Sequence, residues 1–139
     1  MPVRFSTVEL PWTCRHKRKI QRWLEGVVTD HGCELGEIQV VFCSDDYLLE
    51  VNRNSLNHNY FTDIITFDYR AGELISGDLF VSIDRVRDNA RSLGVSFSNE
   101  LHRVLVHGVL HLCGWHDSTD EEKNAMRTEE TRWLQLFPD

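Results

Sequence analysis

Two histidines four positions apart, His107 and His111, are the residues whose type and spacing most clearly predict chemistry in this chain. Residues four apart on a helix lie on one face, about one turn apart, so both imidazoles can bind one metal ion. Gly114 then offers a helix stop, and His116 and Asp117 follow directly. A third ligand from this turn would leave one coordination position for water, as catalytic zinc requires. The stretch therefore predicts hydrolytic chemistry at a metal centre.

The residues around the pair exclude two familiar classes of zinc enzyme. Gly108 stands where HExxH metalloproteases have the glutamate that acts as general base. The Pro-Cys-x-x-Cys signature of zinc deaminases is absent from the sequence. Imidazole with a carboxylate or a third imidazole favours zinc, with nickel or manganese as substitutes.

The elements that must position this motif follow the order β-α-β-α-β-β-α-α-α. The order predicts one α+β domain over residues 1–139, a mixed four-stranded sheet packed against helices. The third and fourth strands are expected to pair as a hairpin, and Thr119 to Glu122 form a capping box for the last helix. The expected bounds include 3–10 for the first strand, 13–31 for the first helix, 37–43 for the second strand, and 99–113 for the histidine helix, capped by Ser98.

Composition indicates the class of protein and its compartment. The chain has 139 residues, 41% of them hydrophobic and 27% charged, which is typical of a globular domain. No apolar run has the length of a membrane span, and the first residues lack a secretory signal. The four cysteines have no CxxC spacing, so we expect reduced thiols in a cytoplasmic protein.

The balance of charge limits the partners. The net charge is −7, from 15 basic and 22 acidic side chains, which argues against a broad basic surface but not against a local basic cleft. The basic residues of one cluster fit either the solvated face of a helix or a phosphate-binding patch. They are Arg15, His16, Lys17, Arg18, Lys19 and Arg22.

The sequence resembles the YbeY endoribonucleases, whose signature is His-Gly-x-Leu-His-Leu-x-Gly-x-Asp-His. Residues 107–117 read HGVLHLCGWHD and match that signature through Gly114. Residues 62–67 (TDIITF) are similar to the family's Thr-Asp-Val-Leu-Ser-Phe strand, and residues 77–82 (GDLFVS) to its Gly-Asp-Ile-x-Ile-Ser strand. The three stretches, their order and the chain length extend the resemblance over nearly the whole sequence.

The resemblance implies a zincin-like α+β fold and a zinc-dependent endoribonuclease specific for single-stranded RNA. It implies one Zn²⁺ per chain and a role in ribosomal RNA processing, including late 16S rRNA maturation and ribosome quality control. The expected partners are ribosomal RNA and the small ribosomal subunit, with no DNA and no membrane, and the expected location is the cytoplasm.

The end of the motif departs from the family pattern. The family has Asp then His, whereas this chain has His116 then Asp117. The register of the motif makes Asp117 the third ligand, because adjacent residues of an extended turn point in opposite directions; His116 is the alternative. The candidate catalytic and metal-binding residues are therefore His107, His111 and Asp117.

A second departure lies upstream. The position of a functional family arginine, counted from Asn52 and from Thr62, is Leu56 here. An arginine there would be expected to hold the scissile phosphate. The candidate substrate-binding residues are His58, Arg53 and Asp63, and Arg70 could also reach the site.

Two other functions fit the sequence. One is a non-catalytic ribosome-assembly factor with a structural metal, for which all four of His107, His111, His116 and Asp117 would serve as ligands, because structural sites close every position. The other is a metallohydrolase of a small ester or amide. The number of protein ligands distinguishes the first from a nuclease, and activity screening distinguishes the second.

Overall fold

The computed structural model describes residues 2–58 and 60–138, and their elements follow the order that the sequence predicts. The α+β class is confirmed. The elements are β1 (Val3–Thr7), α1 (Lys17–Asp30), β2 (Glu34–Cys43), α2 (Asp45–Leu56), β3 (Ile64–Asp68), β4 (Leu74–Ser82), α3 (Ile83–Leu93), α4 (Phe97–Leu112) and α5 (Asp120–Gln135).

The sheet is mixed and has the strand order β1-β2-β4-β3. β2 is parallel to both β1 and β4, whereas β3 and β4 form the predicted antiparallel hairpin, with Ile64 opposite Val81. Successive side chains of a strand point to opposite faces. Leu79 and Val81 accordingly enter the main core, while Phe80 packs into a smaller cluster with Leu48 of α2. The sheet therefore has helices on both faces.

Helix α4 is the central helix of the fold. It packs against α1, α3 and α5 and against strands β3 and β4. Gly108 allows this close approach, because a Cβ at that position would lie 2.7 Å from Ile64 Cδ1 and 3.1 Å from Leu79 Cδ2. The helix that carries the two histidines therefore packs tightly on the sheet at Gly108, the residue next to His107.

Four predicted element bounds were wrong, and local backbone geometry explains most of the differences. β1 ends at Thr7 because Glu9 has a positive φ of 52°, and α1 begins only at Lys17 because His16 has a φ of 61°. β2 begins three residues early, at Glu34, by pairing with β4 before a bulge. α4 is capped by Ser96 and not Ser98, since Ser96 Oγ accepts from the Asn99 N–H at 3.0 Å.

Cys14, Cys33, Cys43 and Cys113 all carry free thiols. Within residues 2–58 and 60–138, none of the helices combines the length and the hydropathy needed to cross a membrane. The capping box of α5 is confirmed, because Thr119 and Glu122 exchange both side-chain-to-backbone hydrogen bonds.

We expect Gly77→Ala to destabilise the fold, because a Cβ there would lie 2.5 Å from the backbone oxygen of Phe67 and 2.7 Å from Leu112 Cδ2. Backbone cannot move as readily as a side-chain terminus, so the free energy of unfolding should fall by about 1–3 kcal/mol. Gly26→Ala in α1 is the control: its Cβ would meet Trp133 at 3.5 Å, an ordinary contact, and a helical alanine should add about 0.5–1 kcal/mol. Urea denaturation measures both, and equal effects would contradict the expectation.

Candidate metal centre

Three side-chain atoms converge at the C-terminal end of α4. His107 Nε2 and His111 Nε2 are 3.0 Å apart, and Asp117 Oδ2 lies 3.3 Å from each of them. Tetrahedral zinc with bonds of about 2.0–2.1 Å requires ligand atoms about 3.3 Å apart. The triangle of donors therefore fits a tetrahedral ion, and its three atoms leave a fourth position open.

The other ring nitrogen of each histidine fixes its protonation. His107 Nδ1 donates to Glu130 Oε2 at 2.7 Å, and His111 Nδ1 donates to the Trp115 carbonyl at 3.0 Å. In the neutral rings both protons are on Nδ1, so both Nε2 lone pairs are available to a cation. A second hydrogen bond of this kind commonly orients metal-binding histidines. We call His107, His111 and Asp117 the triad.

The turn after α4 brings the third side chain of the triad into place. Trp115 N–H donates to the Leu110 carbonyl and Gly114 N–H to the His111 carbonyl, both at 3.0 Å. This is the hydrogen-bond pattern of a Schellman motif, which needs a left-handed residue just beyond the helix. Gly114 supplies it with a φ of 98°. The same turn therefore positions the Trp115 carbonyl against His111 and Asp117 against both imidazoles.

A buried ion pair joins the triad to α5. Glu130 is 5% exposed, and its second oxygen, Oε1, accepts from Arg103 Nη1 at 3.0 Å. Arg103 also donates to Thr131 Oγ1 at 3.2 Å. Both Glu130 oxygens are thus occupied, one by a triad histidine and one by a cation of α4.

A cavity of about 370 Å³ opens beside the triad, and His107 and Asp117 form part of its lining. Asp63 and Glu100 lie in its wall. Burial raises the pKa of Asp63; burial and the charge of Asp63 raise the pKa of Glu100. Glu100 Oε1 is buried and has no hydrogen-bond partner within the described part of the chain. Both carboxyls are therefore biased toward holding a proton.

Burial and charge act in opposite directions on His107. Burial lowers the pKa of its imidazole, but the hydrogen bond to Glu130 and the charges of Glu130, Asp117 and Asp63 raise it by more. The pKa therefore lies above its ordinary value. A proton competes with a cation for Nε2, so acid weakens metal binding at such a site.

The structure brings together some of the predicted site residues and separates others. Asp63 lies at the cavity with the triad, whereas the neighbouring His116 is exposed. Arg53 pairs with Glu50 at 3.0 Å, and His58 contacts Tyr60 through a hydrogen bond of 3.0 Å. Arg53 and His58 lie at the C-terminal end of α2 and are not in the cavity lining.

Leu56, which stands at the position of the family arginine, and Arg70, the further candidate, are not part of the cavity lining. Leu56 is the last residue of α2 and is 41% exposed. Arg70 donates to the Gly72 carbonyl at 2.6 Å and lies beside the Cys33 thiol. Arg70 nevertheless lies beside the turn that carries Asp117, since its Nη1 would be 3.3 Å from a Cβ at Gly114.

A second group of potential ligands, Asp30, His31 and Glu129, lies between the end of α1 and α5. Arg132 already occupies it, since its guanidinium donates to Asp30 at 2.6 Å and to Glu129 at 2.7–2.8 Å. A guanidinium between two carboxylates satisfies them without a metal. This group therefore serves as an ion-pair network.

Sequence reasoning missed Glu100, Arg103 and Glu130. Glu100 and Arg103 precede His107 by seven and four positions on α4, so a helical wheel would have placed them on the histidine face. Glu130 gave no comparable local signal, because its contact with His107 crosses from α5 to α4.

The fold and the site define a class: a zincin-like α+β domain in which a central helix presents two histidines beside an open cavity. The family comparison is more specific. Residues 6–137 match the family Endoribonuclease YbeY, and the chain belongs to that family. The relatives that carry the name Endoribonuclease YbeY include two bacterial proteins with high coverage of this chain. One, from Bacteroides thetaiotaomicron, is 45% identical over 98% of this chain and 99% of its own length; the other, from Phocaeicola vulgatus, is 49% identical over 87% and 88%.

A solved structure supports the fold independently. The solution structure of a Thermotoga maritima protein aligns with 96% of this chain and 87% of its own, with a TM-score of 0.67 at 24% identity. At that identity the likeness concerns the fold alone.

Proposed function

We propose that this chain cleaves phosphodiester bonds of single-stranded RNA with a metal ion held by His107, His111 and Asp117. As a member of the Endoribonuclease YbeY family, the chain is an endoribonuclease, a hydrolase whose substrate is RNA. The main support for the metal site is its geometry. The Nε2 atoms of His107 and His111 and one carboxylate oxygen of Asp117 lie within 3.3 Å of each other.

We propose zinc as the native ion, one per chain. Two imidazoles and one carboxylate, with a position left open, form a ligand set of catalytic zinc sites. When bound, the ion supplies Lewis acidity and lowers the pKa of water. A carboxylate ligand makes the ion less acidic than a third neutral imidazole would.

The residues of the chain hold and orient the site. Glu130 keeps the His107 proton on Nδ1, and the Trp115 carbonyl does the same for His111. Asp63, in the cavity wall, would form a hydrogen bond with a ribose hydroxyl of the RNA. Arg53 and His58, at the C-terminal end of α2, would contact the RNA outside the cavity.

The substrate that we propose is ribosomal RNA, processed in the cytoplasm in association with the small ribosomal subunit, including late 16S rRNA maturation. Residues 1–139 would act as one domain. A non-catalytic factor with a structural metal would need a fourth protein ligand, and among the described residues the cluster at this site has three members.

Metal removal tests the proposal. A chelator should abolish cleavage of a single-stranded oligoribonucleotide, and zinc should restore it at lower concentration than nickel or manganese. A duplex of the same sequence should be cleaved at least about 10-fold more slowly, because only splayed bases fit a small cavity. Full activity in protein that elemental analysis finds metal-free would refute the proposal, and equal cleavage of the duplex would refute its strand specificity.

A further inference from the structure

The cavity beside the triad continues across the surface of α5. A second, open depression of about 410 Å³ is lined by Asn124, Arg127, Thr128 and Thr131. Asn124 and Arg127 also line the cavity at the triad, so the two depressions meet at these side chains. Together they form a groove, the α5 groove, which starts at the triad and follows one side of the helix.

Two cations of α5, Lys123 and Arg127, border the groove. They are four residues apart, so they share a helix face and are about 6 Å apart along the helix axis. Both are exposed, and both line the cavity. Within residues 2–58 and 60–138, neither has a carboxylate at ion-pair distance, whereas Arg103 is held by Glu130 and Arg132 by Asp30 and Glu129.

Cations without a carboxylate partner are available to an anionic ligand. Phosphate oxygens accept strong, charge-assisted hydrogen bonds from lysine and arginine. A chain whose net charge is −7 repels an RNA strand that approaches the triad. Local positive charge at the groove would offset that repulsion.

We propose that Lys123 and Arg127 bind neighbouring phosphates of the RNA strand on one side of the scissile bond, and that this segment lies in the α5 groove. The Asn124 amide and the Thr131 hydroxyl lie along the same path, whereas the Thr128 hydroxyl already donates to the Asn124 carbonyl at 2.9 Å. The inference rests on the proposed nuclease function, and it places the phosphate-binding cations on α5 instead of at Leu56.

A charge-matched pair of variants tests the assignment. Lys123→Gln/Arg127→Gln removes one lysine and one arginine from the groove. Lys17→Gln/Arg18→Gln makes the same two substitutions at exposed positions of α1, in the basic cluster away from the cavity. Both are compared with the wild type by fluorescence anisotropy on a labelled single-stranded oligoribonucleotide, at several salt concentrations, together with KM, kcat, metal content and thermal melting.

The groove variant should bind RNA at least about tenfold more weakly, and its salt slope should fall by about 1.4, since each phosphate contact on a single strand contributes about 0.7. KM should rise while kcat at saturating RNA changes less than about threefold, with unchanged metal content and melting. The α1 variant should match the wild type.

The outcomes separate the two proposals. If the wild type neither binds nor cleaves the RNA, the nuclease proposal fails, and the α5 assignment fails with it. If the wild type does both and the two double variants weaken binding equally, the effect is one of overall charge. The α5 assignment is then wrong while the nuclease proposal stands. Unchanged binding by the groove variant would overturn the assignment in the same way.

Discussion

Asp117→Ala should abolish metal binding at the triad and reduce RNA cleavage by more than the roughly 10- to 100-fold typical of lost outer contacts to a ligand. Asp117 Oδ2 lies 3.3 Å from both Nε2 atoms, so its loss leaves only two donors of the triad. Two imidazoles one helix turn apart bind a cation weakly without a third ligand. The change is measured as metal per chain by elemental analysis and as kcat/KM on single-stranded RNA.

The adjacent residue provides the control. His116→Ala removes a potential ligand from the same turn, but its side chain is exposed, so metal content and cleavage should stay close to those of the wild type. Circular dichroism should find both variants folded, since neither side chain is buried. Loss of the metal in His116→Ala with retention in Asp117→Ala would show that His116 is the third ligand and that the register argument for Asp117 is wrong.

Local sequence was sufficient for the triad because its determinants lie within eleven residues. Helical periodicity aligns His107 with His111, and the left-handed preference of Gly114 sets the turn that follows. The register argument for Asp117 uses the same short stretch. Its role as a ligand is still a prediction, although the structure places its carboxylate beside both imidazoles.

Sequence was insufficient where a contact depends on how elements cross. The hydrogen bond between His107 and Glu130 joins residues 23 positions apart on two helices, and no periodicity within α5 indicates it. Arg53 and His58 are candidates because they lie close to Leu56 in sequence. In the structure they contact Glu50 and Tyr60, and their role in substrate binding stays a prediction.

The predicted start of α4 was wrong because two nearby serines are equally suitable as its N-cap. Ser96 and Ser98 are both good capping residues, and only the three-dimensional start of α4 at Phe97 distinguishes them. Gly108 shows the converse case. Sequence explained it only as a missing catalytic base, whereas the structure requires it for contact between α4 and the side chains of Ile64 and Leu79.

Glu130→Gln should lower the metal affinity of the triad by about 10- to 100-fold, the usual effect of removing the partner that orients a metal-binding histidine. A neutral amide is a weaker acceptor for His107 Nδ1, and its NH₂ group cannot accept from Arg103. Arg103 would then lose its carboxylate partner beside a half-buried site, so the free energy of unfolding should also fall by about 1–3 kcal/mol. Competition with a fluorescent chelator measures the affinity, and urea denaturation measures the stability.

Glu129→Gln is the control that distinguishes an effect on the orientation of His107 from an effect on the stability of α5. It makes the same substitution one residue earlier, where the carboxylate pairs with His31 at 3.0 Å and with Arg132 at 2.7 Å. Its loss should also destabilise the protein, yet metal affinity should stay within about threefold of the wild type because Glu129 does not contact the triad. If both variants lost affinity in proportion to their lost stability, Glu130 would act only through the packing of α5. A loss of affinity confined to Glu130→Gln instead supports orientation of the ligand by Glu130, which hydrogen-bonds His107 whereas Glu129 does not.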